Sequence, residues 1–152
     1  KRELAVGEGL LRFMELTNLK GTVYYKDIDY ALAKKSLAHS QALVSGNAPG
    51  GESARDPSDR STKTFTKFLN LVHGEKILDL ESAIAKITAT PAAFFGLKNR
   101  GVLAEGMKAD ITVFSLDGKS GTVIQHVFVN GEHAVLNGAV KCGNAGAVLQ
   151  HR

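Results

Sequence analysis

At 152 residues, 43% of them hydrophobic and 7% aromatic with no Trp, the chain can build one ordinary domain, or one small domain plus part of another, around Ala, Val, Leu and Ile. Its net charge of +4 is spread along the chain without a block of five or more like charges. That argues against nucleic-acid binding, which needs a clustered basic face, and the apolar runs fall far short of a membrane span.

The single Cys142 rules out an internal disulfide and a metal cluster built on Cys, and it fits a reducing, cytoplasmic setting. The chain starts Lys-Arg-Glu rather than with Met, and no basic-then-apolar leader follows. It therefore reads as a processed or excised chain.

In GEGLLRFMELTNL, residues 7–19, Leu10, Leu11, Met14 and Leu19 fall near helical spacing and predict an amphipathic helix. KGTVYY, residues 20–25, carries β-prone Val23, Tyr24 and Tyr25 after a glycine and predicts a short strand. Asp27 or Asp29 can cap a following helix, IDYALAKKSLAH, which ends near His39. QALVS, residues 41–45, then reads as a short buried strand. The order helix, strand, helix, strand suits a βαβ arrangement with parallel strands, whose functional groups collect just after strand C-terminal ends. Those ends fall near residues 26–29 and 45–48.

Residues 46–63, GNAPGGESARDPSDRSTK, form a long polar loop. TFTKFLNLVHGEK predicts a helix carrying Phe65, Phe68, Leu69 and Val72. Asp79 is placed to cap the next helix, with Glu81 in its first turn and Leu80, Ala83, Ile84 and Ile87 on its apolar face. Thr90-Pro91 reads as a cap followed by proline at the first helical position, and that short helix stops at Gly96. From residue 99 short alternating strands and glycine turns take over. Asn130-Gly131, between VFV and HAVL, signals a type I′ hairpin.

The stretch from Leu80 to Phe114, LESAIAKITATPAAFFGLKNRGVLAEGMKADITVF, resembles the C-terminal part of the amidohydrolase superfamily. The shared pattern is an apolar-faced helix, Thr-x-x-Pro-Ala, Gly-Leu, Arg-Gly-x-Leu, a Gly, then Ala-Asp and an apolar strand. IQHVFVNGEHAVLNG is similar to the hairpin that follows in that superfamily. VKCGNAGAVLQ resembles the terminal Gly-x-x-x-Leu ending of N-acyl-D-amino-acid deacylases. Upstream, GLLRFMELTNLKGTVYYKDIDYALAKKSLAHSQALVSG looks like the deacylase segment that precedes its metal Asp. STKTFTKFLNLVHGEKILDLESAI looks like its Thr-Phe-x-x-x-Leu helix pair. The resemblance covers nearly this whole chain and only the last third of a complete deacylase.

The fold class implied is α/β: the C-terminal part of a (β/α)8 amidohydrolase barrel over residues 1–98, then a small β-sandwich-like domain over 99–152. The parent family hydrolyses a linear amide with zinc-activated water, and an Asp after the last barrel strand binds metal and acts as general base. Aligned directly, Ser45 keeps the Ser of the family's Ser-Asp-Gly, Gly46 falls where the Asp belongs, and Asn47 follows. Glycine has no side-chain ligand, and Asn cannot take a proton from water near neutrality. The nearest downstream carboxylate is Glu52.

Arg60 matches an Arg in the family's long loop and is the candidate partner for a substrate carboxylate. Asp110 falls in the small β-domain and reads as structural. His39, His73, His126, His133 and His151 nowhere pair at the i, i+2 or i, i+4 spacing of two ligands on one face, so no metal ligand is assigned. His39 reads as a helix-ending residue, and Cys142 as a small hydrophobe.

Zinc belongs to the parent family and is not expected on the isolated chain, which is expected to be inactive alone. The expected partners are the N-terminal part of the hydrolase or a second copy, with an N-acyl amino acid as the parent's substrate, and neither nucleic acid nor membrane. Two rivals stand beside this reading: a non-catalytic binding or scaffold protein of the same descent, and an amidohydrolase of other specificity, such as one opening a cyclic amide.

Overall fold

The computed structural model describes residues 5–20, 28–46 and 62–149. The chain forms two compact units, Lys1–Tyr30 and Ala31–Arg152.

The first unit contains α1, Val6–Leu16. Leu10, Leu11 and Met14 lie on it as the spacing predicts, and Arg12 pairs with Glu15 one turn on at 3.0 Å. The helix ends where Asn18 and Leu19 turn left-handed, with the Leu19 N–H donating back to the Met14 carbonyl. This is the reversed-hand ending typical of helix C-termini. The strand expected over residues 20–25 lies, beyond Lys20, outside the described residues.

The second unit carries α2 (Tyr30–Ala38, its first residue belonging to the other unit), α3 (Thr64–Glu75), α4 (Leu80–Ile87) and α5 (Ala89–Phe94). Then come β1 (Ile111–Asp117), β2 (Gly121–Val129), β3 (Glu132–Leu136) and β4 (Ala139–Val140). Phe68, Leu69 and Val72 recur at helical spacing on α3 and meet Ala83 of α4, and all four are buried. Leu37, Val44, Ile84, Ile87 and Phe114 pack around them. Each fully buried side chain of this kind contributes about 1.5–3 kcal/mol, so these few residues tie α2, α3, α4 and β1 together.

Asp79 caps α4 as expected: its carboxylate accepts from the Ser82 N–H at 2.7 Å and from the Ser82 hydroxyl at 2.8 Å. Those two donors hold its carboxyl below the usual carboxylate range.

The strands form one antiparallel sheet in the order β1-β2-β3-β4. The β2–β3 turn is the expected hairpin, with φ of 52° at Asn130 and 87° at Gly131. Positive φ at both positions is the type I′ requirement. Phe114 of β1 faces the helices and joins the core.

Three expectations need correction. The strand expected over residues 41–45 does not form: Gln41 lies in a turn and residues 42–46 adopt no regular structure. Ala42, Leu43 and Val44 are half-buried as an apolar run should be, but no strand among the described residues runs beside them, and a strand needs ladder partners for its N–H and C=O groups. For the same reason the parallel βαβ arrangement is absent among the described residues, where every strand pair is antiparallel. Finally, α5 begins at Ala89 rather than Pro91. Pro91 sits third in the helix, where the missing N–H would have had no intrahelical acceptor in any case.

Candidate functional site

The segment singled out by its resemblance to a metal-binding strand end is residues 42–46, which leave α2 and run past α4. Its anchor is Lys86, the one buried charged side chain among the described residues. Lys86 lies three residues beyond Ala83 and so shares its inward face. Its ammonium donates to the His39 carbonyl at 2.5 Å and to the Ala42 carbonyl at 2.8 Å. A cation at the carbonyl end of α2 complements the helix dipole. His39 directly follows the last residue of α2, as the sequence predicts. It is exposed, offers its carbonyl to Lys86, and accepts the Gln41 N–H on Nδ1 at 3.3 Å. Val44 seats in the core just before the segment reaches solvent at Ser45 and Gly46.

At Ser45 the hydroxyl donates to the Gly46 carbonyl at 3.2 Å, and Gly46 brings no side chain. Asn47, Glu52 and Arg60 lie outside the described residues. No three His, Cys, Asp or Glu side chains come together among the described residues. A catalytic zinc needs about three protein ligands, so the described residues do not fit the zinc of the parent family.

Asp110 is structural, as expected. Arg100 forms an ion pair with it, the Asn130 N–H donates to it at 2.7 Å, and Arg100 Nη2 donates to Asn130 Oδ1 at 2.7 Å. Asn130 Nδ2 then donates to the Ala145 carbonyl at 2.7 Å. One guanidinium thus ties the turn before β1, the β2–β3 hairpin and the C-terminal segment. Burial pushes the Asp110 carboxyl upward, but the Asn130 N–H and the Arg100 guanidinium outweigh it and leave it below the ordinary carboxylate range.

An open cleft of about 300 Å³ lies between α3 and the β1–β2 turn, lined by residues that include Asn70, His73, Asp117 and Lys119. Two of its polar side chains, Asn70 and Asp117, are already engaged. Asn70 Oδ1 accepts from the Thr122 N–H at 2.6 Å and the Thr122 hydroxyl at 2.7 Å. The Asp117 carboxylate accepts from the Ser120 and Lys119 N–H groups, which lower its pKa, as an aspartate closing its own turn does.

Two contacts escaped the spacing rules. His133 Nε2 and His126 Nδ1 lie 3.3 Å apart across the β2–β3 hairpin. Cys142 Sγ sits 3.8 Å from Glu132 Oε2. No helix among the described residues is long and apolar enough to cross a membrane.

Against known proteins, the profile of the amidohydrolase family matches residues 40–135, more than half of the chain. N-acyl-D-glutamate deacylase of Alcaligenes xylosoxydans xylosoxydans is 33% identical over 123 residues, covering 73% of this chain and 25% of that protein. N-acyl-D-aspartate deacylase of the same organism is 34% identical over 95 residues, 62% of this chain and 18% of that protein. A dihydroorotase of Lactobacillus johnsonii is 32% identical over 87 residues, 57% of this chain and 20% of that protein. The chain thus spans a quarter or less of the length of these relatives. No solved structure matches it. With the family profile running from the end of α2 to β3, and two D-amino-acid deacylases among its relatives, the chain belongs to the amidohydrolase family and is D-aminoacylase-like within it.

Proposed function

We propose that this chain is the C-terminal segment of a metal-dependent amidohydrolase acting on N-acyl-D-amino acids, and that it does not turn over substrate by itself. The observation that carries this is the match to N-acyl-D-glutamate deacylase along 73% of the chain against 25% of that protein. On this reading residues 1–98 complete a (β/α)8 barrel and residues 99–152 form part of a β-sandwich-like domain. The reaction is hydrolysis: water adds to the amide carbonyl, the C–N bond breaks, and a carboxylate and a free D-amino acid leave. In the parent family zinc activates that water; no residue described here carries the step.

The role assigned to this chain is positional. Lys86 holds the 39–46 segment against α4, so that residues 45–47 are presented at the barrel mouth. Arg60 meets the substrate carboxylate. The partner is the N-terminal portion of the hydrolase. The compartment on this reading is cytoplasmic.

The test is complementation. The chain is mixed with the N-terminal portion of an N-acyl-D-glutamate deacylase and with zinc, and release of free D-amino acid from N-acetyl-D-glutamate is followed. The expected result is turnover by the complex alone, reduced by Asn47→Ala. A stable complex without turnover favours the scaffold reading, for which the glycine at position 46 is the supporting observation.

A second reading is hydrolysis of a cyclic amide, favoured by the dihydroorotase similarity. Turnover of dihydroorotate by the same complex, with none of N-acetyl-D-glutamate, would select it.

A further inference from the structure

His126 and His133 are seven residues apart, too far to share a face within one strand by simple spacing. The type I′ turn at Asn130-Gly131 folds β3 back on β2, and the register shift between Val127 and Phe128 sets His133 opposite Phe128 and His126 opposite Leu136. The two imidazoles therefore stand on one face, diagonal to each other, with His133 Nε2 and His126 Nδ1 3.3 Å apart. Zinc–nitrogen bonds of about 2.0–2.1 Å in a tetrahedral site place two ligand atoms about 3.3–3.4 Å apart. The observed separation is thus the span of one edge of such a site.

Both rings are half-buried on paired strands, so little side-chain freedom remains to be lost on binding. His133 is further held by Phe128, whose ring stacks on it at a centroid distance of 4.4 Å and an interplanar angle of 11°.

We propose that His126 and His133 form a two-imidazole site for a divalent late transition ion, Cu2+, Ni2+ or Zn2+, bound through His126 Nδ1 and His133 Nε2. Without metal, the two nitrogens share one proton in an N–H···N hydrogen bond. On binding, the ring that donates in that bond moves its proton to its other nitrogen, which frees both facing nitrogens for the ion. No third His, Cys, Asp or Glu joins the pair among the described residues. The remaining coordination positions fall to water or to a donor from another molecule. Val113 and Leu136, both opposite His126 in the ladder and more than a third exposed, leave that side open. Imidazole donors select borderline ions with copper ahead of zinc, whereas Mg2+ and Ca2+ demand oxygen donors.

The experiment titrates Zn2+ and Cu2+ into the full 152-residue chain. Calorimetry with Zn2+ is expected to give one saturable site, unaffected by excess Mg2+. His126→Gln and His133→Gln should each weaken it at least about tenfold, since losing a ligand costs no less than losing the residue that orients it. His39→Gln and His73→Gln should leave it unchanged.

Amide spectra of the wild-type chain with substoichiometric Cu2+ give a readout that needs no variant. Broadening should appear first at residues 126, 133 and their ladder neighbours. Absence of saturable Zn2+ binding, or copper broadening centred elsewhere, would overturn the proposal. So would full zinc affinity in both Gln variants with native amide spectra.

Discussion

Lys86 of α4 donates to the His39 carbonyl at the C-terminal end of α2, 47 residues earlier in the chain, and to the Ala42 carbonyl in the segment beyond it. A buried ammonium survives only with its donors used. Here it also serves the Ala42 carbonyl of the apolar run and adds a second donor to the His39 carbonyl, which accepts the Ala42 N–H at 3.1 Å as well. Lys86→Met keeps the volume and removes the donor. The expected cost is about 2 kcal/mol, within the range for losing hydrogen bonds to a charged group, read as a lower urea midpoint with unchanged slope. Hydrogen exchange should quicken at residues 41–44 before it does in α3. Uniform acceleration would mean that Lys86 supports the core as a whole rather than this segment.

Arg100 is the hub of the second network, joined to Asp110 and Asn130. Its Nε is buried without a hydrogen-bond partner, which offsets part of the gain from its two Nη groups. Arg100→Ala is therefore expected to cost about 1–2 kcal/mol, towards or below the low end of the roughly 1.5–3 kcal/mol usual for hydrogen bonds to charged groups. The same variant should loosen residue 145, which Asn130 holds through its Nδ2. Thermal unfolding and exchange at the C-terminal segment check both.

Asp110 links that network to pH. Its carboxyl lies lower in the folded chain than its ordinary value of 3.8. A depressed folded value means the unfolded chain binds the proton more tightly. The stabilisation is then complete above the ordinary value and is lost as pH falls through the folded one. Asp79 and Asp117 shift in the same direction. Stability should thus fall below about pH 4, and Asp110→Asn should be less stable at neutral pH with a shallower acid decline. An identical acid slope in variant and wild type would remove Asp110 from the acid response.

Gly101 follows Arg100 with φ of 88°, and a Cβ there would lie 2.6 Å from Ala92 Cβ and 2.9 Å from the Thr88 carbonyl oxygen. The turn presses directly on α5, so neither neighbour can swing aside as a long side chain would. The left-handed conformation alone costs a side-chain-bearing residue about 1–2 kcal/mol, and the overlap adds to it. Gly101→Ala is expected to lower stability by at least about 2 kcal/mol. A variant as stable as wild type in chemical denaturation would show that the turn relaxes away from α5.

What was legible in the sequence is what local chemistry decides. Asp79 caps α4 because the N–H it serves is three residues away, and Asn130-Gly131 turns because both residues tolerate positive φ. Two of the failures depend on partners distant in the chain. Residues 42–44 carry a strand's apolar pattern, but pairing decides whether such a run becomes a strand. Thr88, with φ of −131° and ψ of −84°, breaks the helix between α4 and α5, and α5 starts directly after it rather than at Pro91. The pairing of His126 with His133 depends on a register shift in the hairpin, to which residue spacing is blind. At the candidate site, Ser45 and Gly46 are exposed beyond the Lys86 anchor, but the feature that marked them, a missing carboxylate, came from resemblance rather than from geometry.

That missing carboxylate gives the sharpest test of the proposed hydrolase reading. If Gly46 occupies the position of the family's general base, Gly46→Asp restores a group able to take a proton from the attacking water. General-base catalysis contributes about 10²–10⁴-fold. The Gly46→Asp chain, combined with the N-terminal portion and zinc, is therefore expected to hydrolyse N-acetyl-D-glutamate at least about a hundredfold faster than the wild-type complex. The same chain alone should remain inactive, because one carboxylate does not replace the other zinc ligands. Gly46 is exposed, so the substitution should leave stability nearly unchanged. Equal rates for the two complexes, with equal zinc content, would place the base elsewhere and remove position 46 from the chemistry.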